Sequence, residues 1–67
     1  MNNISEQFIE KVVEFIVIYN KATVEQKIQA LIKIRGENPF SELIQNACNT
    51  YLTMLYDIHY ENVKQAM

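Results

Sequence analysis

The sequence is poor in the residues that turn a chain or staple it. It holds one glycine (Gly36), one proline (Pro39), one cysteine (Cys48) and one histidine (His59) in 67 residues. So few turn residues disfavour sandwiches, barrels and α/β folds. A single cysteine excludes an internal disulfide, and one Cys with one His cannot fill a structural zinc site. One glycine cannot build a Gly-rich phosphate loop, and no H-E-x-x-H spacing occurs. Long apolar runs are also missing. The most apolar stretch, Val12 to Tyr19, is interrupted by Glu14 and falls far short of the ~20 residues that span a bilayer. Met1-Asn2-Asn3-Ile4-Ser5-Glu6 has no basic leader signature. The expectation is a cytoplasmic protein without membrane insertion, a compartment that suits a lone thiol.

What is present is apolar residues, at 49% by the AVILMFWYC count, with 21% charged residues and a net charge of −2. That is a globular composition, not a disordered one. A chain this short buries only about 60% of the surface its unfolded form exposes. Without disulfide or metal, domains of this size usually lean on another chain. A homo- or hetero-oligomer is expected.

Periodicity reads as a single all-α domain over 1–67, a helical hairpin or three-helix arrangement with helices near 4–20, 24–35 and 39–65. Asn3 can cap the first helix, with Glu6 as its capping-box partner. Ile4, Phe8, Val12, Phe15, Ile16 and Tyr19 form its main stripe. The β-branched run inside it leans locally towards strand, but no second strand-like segment exists to pair with it. Thr23-Val24-Glu25-Gln26 is a second capping box. The stripe of Val24, Ile28 and Leu31 also lies nearly opposite the first, so either the helix breaks near Asn20–Thr23 or one long helix serves two partners. The break is the reading adopted. Gly36 suits a C′ position with positive φ, Asn38 an N-cap and Pro39 the first position of the last helix. The expected core is Phe8, Val12, Phe15, Ile28, Leu31, Phe40, Leu43, Ile44, Ala47, Tyr51, Met54 and Ile58.

Candidate chemistry is sparse. Asp57 and Glu61 sit two residues either side of His59 and point away from it on a helix. Cys48 lies three turns from His59, ~16 Å along the axis, and reads as a small core residue. Ser5 and Ser41 serve better as helix-start residues than as nucleophiles. No catalytic, metal or cofactor residues are assigned. Residues 21–36 carry +3 between segments of −2 and −3, yet Lys27, Lys33 and Arg35 scatter around the helix. The first turns of the last helix, from Pro39 to Gln45, hold no Arg or Lys to read DNA. Direct nucleic-acid binding is not expected.

Surplus apolar surface is the more informative feature. Leu52, Tyr56, His59, Tyr60 and Val63 form a second stripe on the last helix, and Ile9, Val13 and Val17 one on the first. Helices apolar over more than half their circumference are buried on two sides. Leu52, Tyr56, Tyr60 and Val63, then Val13 and Val17, are the expected partner-binding residues.

Residues 24–66 resemble the small YscE-like co-chaperones of type III secretion systems. The likeness rests on Ile28, Leu31 and Ile34, the Arg35-Gly36-Glu37-Asn38-Pro39 turn, and a long helix through Tyr51-Leu52-Thr53-Met54-Leu55-Tyr56-Asp57-Ile58-His59-Tyr60. It covers about two-thirds of the chain. It implies a cytoplasmic, non-enzymatic helical hairpin that joins a helical-repeat chaperone to hold a small secreted needle subunit. The family has one long first helix, from which the break at Asn20–Thr23 departs. Thr23-Val24-Glu25-Gln26 and Thr53 to Asp57 are similar to Hha-like modulators of nucleoid proteins. Such a regulator, or a small phage-type inhibitor, would also act through protein contacts.

Overall fold

A computed structural model describes residues 5–66. Three helical segments account for most of them: α1 from Glu6–Glu14 continuing into a π-helical turn Phe15–Tyr19, α2 Val24–Glu37 and α3 Glu42–Ala66. No strand occurs among the described residues. The all-α expectation holds, as does the interruption after the first helix.

Local chemistry explains most boundaries. The Ser5 side chain caps α1 by accepting from the Phe8 N–H at 3.1 Å. The cap expected at Asn3 lies outside the described residues. Within α1 the β-branched run resolves as a π turn, closed by the Asn20 N–H donating to the Phe15 carbonyl at 3.0 Å. β-branched side chains crowd the preceding turn of an α-helix, and an i→i+5 turn opens that spacing. The break at 20–23 is held from both sides. Asn20 Oδ1 accepts from the Ala22 N–H, and the Thr23–Gln26 capping box is complete in both directions.

The second turn corrects the sequence reading. Gly36 has no positive φ and lies inside α2, which runs on to Glu37. Asn38 does not start α3. It ends α2, and α3 begins four residues later at Glu42, with the Ser41 hydroxyl accepting from the Ile44 N–H. Side-chain amides perform the task that a left-handed glycine would otherwise perform. Asn38 Nδ2 donates to the Ile34 carbonyl at 2.9 Å, and Gln45 Nε2 donates to the carbonyls of Arg35 (2.8 Å) and Asn38 (3.0 Å). With these orphan carbonyls satisfied, α2 ends without a reversal in φ.

α2 and α3 form an antiparallel hairpin, and α1 packs along the first half of α3, meeting α2 mainly through the π turn. The described residues share one core: Val13, Ile28, Leu31, Ile44, Cys48, Leu52 and Leu55. Ile28, Leu31 and Ile44 were expected there. Phe8, Phe15, Phe40, Met54 and Ile58 were also expected there but are exposed, while Val12, Leu43, Ala47 and Tyr51 are half-buried. The reason is that α3 offers one line, Ile44-Cys48-Leu52-Leu55, to both neighbours. The Ile9/Val13/Val17 face of α1 is the one that meets this core, with Val13 fully buried. A phenylalanine ring there would overfill the space.

Candidate docking surfaces

Two apolar surfaces remain outside the core. The first is the groove between α2 and the C-terminal half of α3. Pairing of the hairpin brings Glu25, Ile28, Gln29 and Ile32 of α2 opposite Tyr56 and His59 of α3, around an open cleft of about 470 Å³. A second cleft continues it towards Val24, Val63 and Ala66, sharing Glu25 and His59. His59 Nε2 lies 4.0 Å from Glu25 Oε2, linking the two helices where the clefts meet. Tyr56, Tyr60 and Val63 stand exposed at i, i+4 and i+7 along α3, with Ile32 exposed on the α2 side.

The structure separates the six expected partner-binding residues into two groups. Tyr56 and Val63 line the groove, and Tyr60 stands exposed on the same helix face. Leu52 (3% exposed) and Val13 (0%) are core residues and present nothing to a partner, and Val17 packs half-buried against them. The two faces of α1 therefore exchange the roles the stripes implied. Phe8, Phe15, Ile18 and Tyr19 form the second apolar surface, with the Phe15 and Tyr19 rings 6.0 Å apart. Glu25, Gln29 and Ile32 were not anticipated at the groove. Folding α2 back on α3 would have found them, because Arg35–Asn49 and Glu25–His59 obey one antiparallel register.

The reactive side chains are occupied or enclosed. Cys48 is fully buried, and burial pushes its thiol pKa above the ordinary value of 9.0, with Arg35 opposing the shift. A thiol so placed is a poor nucleophile at neutral pH. Among the described residues no three His, Cys, Asp or Glu side chains gather as metal ligands. The basic stretch is partly committed within the chain. Lys27 Nζ donates to the Val17 carbonyl at 2.9 Å, and Arg35 donates to Asn49. No helix among the described residues is long and apolar enough to cross a membrane. Comparison with protein-family models, curated proteins and solved structures returned no match.

Proposed function

We propose that this chain is a non-enzymatic helical module that binds another protein and stabilises or masks it, using the groove between α2 and the C-terminal half of α3. The observation that carries the reading is the exposed row Tyr56, Tyr60 and Val63, of which Tyr56 and Val63 line two clefts that share Glu25 and His59, with Ile32 exposed on the facing helix. Its i, i+4, i+7 spacing suits the flank of a partner helix. Tyrosine supplies apolar area and a polar tip at such surfaces. Water excluded from both partners contributes roughly 25 cal/mol per Å² before the costs of association.

The most concrete form of this reading is a co-chaperone of a type III secretion needle subunit. The α2–α3 hairpin with its polar turn supports it. The interruption at Asn20–Thr23 departs from the long first helix that the resemblance implies. The test is a tagged pull-down of the full chain from its host, with partners quantified by mass spectrometry, beside a Tyr56→Asp/Tyr60→Asp variant. The expected result is a near-equimolar protein partner that the variant loses while its helical CD signal is unchanged. A helical-repeat chaperone with a small secreted subunit would support the co-chaperone form. A nucleoid protein would move the assignment to a regulator acting by protein contact. A partner retained in full by the variant would overturn the groove as the binding site.

A further inference from the structure

The three helices are not held equally. Of the buried core, α3 supplies Ile44, Cys48, Leu52 and Leu55, α2 supplies Ile28 and Leu31, and α1 supplies Val13 alone. The π turn buries no residue. Ile9 and Val17 pack half-buried beside Val13. Two polar ties complete the docking of α1. The Ser41 hydroxyl donates to Glu6 Oε1 at 2.6 Å near its start, and Lys27 Nζ donates to the Val17 carbonyl at 2.9 Å near its end. The first tie is exposed and the second part-buried, so water competes for both.

The hairpin is closed by groups that owe nothing to α1. Gln45 Nε2 donates to the Arg35 and Asn38 carbonyls, and Arg35 reaches Asn49. Thr23 and Gln26 cap α2 within its own sequence, so α2 keeps its start whether or not α1 is docked. The connection through Asn20 and Ala22 lies outside both helices. Segment 6–19 is also at the length where isolated helices are marginal in water. Its last turn, with Ile16, Val17 and Ile18, adds residues of low helix propensity. Its helical form therefore depends on its seat against α3.

We infer that α1 is a hinged cover, which opens as a unit about residues 20–23 while the α2–α3 hairpin stays folded. Opening bares the line Ile44, Cys48, Leu52 and Leu55 on the side that α1 covers. Elements that open locally are those with few buried apolar contacts and solvent-exposed ties, and α1 has both features. The open chain presents on α3 an apolar face that the closed chain hides. This inference is independent of the groove reading, because no residue lining the groove lies on α1.

Cys48 reports the opening. It is the one cysteine of the chain and is 0% exposed, so a thiol reagent reaches it only when the core opens. The experiment follows labelling of the full chain by excess DTNB across a urea series, beside global unfolding by CD. The expected result is a labelling rate whose urea dependence is less than about half the global m-value, because opening of α1 exposes only part of the buried surface. Val13→Ala should accelerate labelling without urea by about tenfold or more, through the lost methyl groups and the cavity they leave. Gln45→Ala, whose side-chain bonds lie within the hairpin, should lower the urea midpoint yet leave labelling without urea within about twofold of wild type. Hydrogen exchange identifies the element that moves. Amides from Ile9 to Val17 should share the shallow slope of Cys48, and those of Ile28 and Leu31 should follow global unfolding. The wild-type slopes decide alone should Val13→Ala fail to fold. Labelling with the full global slope overturns the proposal. So does a Gln45→Ala chain accelerated as much as Val13→Ala, or α2 amides that open with Cys48 while those of α1 stay protected.

Discussion

Leu52 and Phe15 make opposite claims on the fold, and truncating each to alanine separates them. Leu52 is buried in the shared core, and Phe15 is more than half open. Leu→Ala at buried sites costs about 2.7–5.0 kcal/mol, the transfer of the lost carbons plus the cavity they leave. This core has seven buried residues and a thin cover. Its walls can partly collapse, which puts the expected cost at about 3 kcal/mol. Against that stands a total stability of roughly 3–10 kcal/mol for a chain of this length. At about 4–8 °C per kcal/mol for a small domain, Leu52→Ala should lower Tm by about 12–24 °C, or leave the chain unfolded at room temperature. Phe15→Ala removes exposed surface and should stay within about 0.5 kcal/mol, under about 4 °C. Both are read by CD melts and urea titration at one fixed chain concentration. An unchanged m-value would show that stability, not the unfolded state, has moved. A Leu52→Ala chain melting within about 5 °C of wild type, or a Phe15→Ala chain falling as far as Leu52→Ala, would refute the assignment of the core line.

Substitutions at three further positions probe the ends of the helices and the buried thiol. Gly36→Ala should raise stability by about 0.5–1 kcal/mol, since Gly36 is helical, has no positive φ and has nothing within 4 Å of an added Cβ; a lower urea midpoint would instead mark a left-handed residue. Thr23→Ala should cost about 1 kcal/mol by removing the acceptor for the Gln26 N–H, and Thr23→Ser should restore most of it in the same titration. The Cys48 thiol is held above its ordinary value of 9.0 by burial. Its contribution to stability is therefore fully present below pH 9.0 and is lost as pH rises towards the folded value, because the unfolded chain ionises first. The urea midpoint should fall between pH 8 and pH 10 more steeply in the wild type than in Cys48→Ala, and parallel slopes would remove the thiol from the core account.

The features legible in the sequence were those set by local chemistry. The capping box at Thr23–Gln26 requires only residues three apart, and it forms in both directions. The phase change in the apolar stripe located the break for the same reason. Ser41 and Cys48 were placed as a helix-start residue and a small core residue, and both stand so. The turn at 36–41 shows where local reading ends. Asn38-Pro39 has the form of an N-cap followed by a first helical residue, and Gly36 that of a C′ residue. The deciding group is Gln45, whose amide reaches back to two carbonyls seven and ten residues upstream. No window centred on the turn contains that information.

The exchange of faces on α1 has a different origin. Ile9/Val13/Val17 and Phe8/Val12/Phe15/Tyr19 both satisfy helical periodicity, so periodicity cannot rank them. Total hydrophobicity ranks them wrongly, because it favours the rings. The neighbouring helices decide which face packs, and α3 supplies four of the seven buried residues, Ile44, Cys48, Leu52 and Leu55. Val13 is fully buried with them, and Ile9 and Val17 pack partly buried against that cluster. The bulkier stripe is then driven outward, onto the surface. The same choice of face explains the exposed rings: with Ile9, Val13 and Val17 turned to the core, Phe8, Phe15 and Tyr19 are left on the outer surface of the first helix.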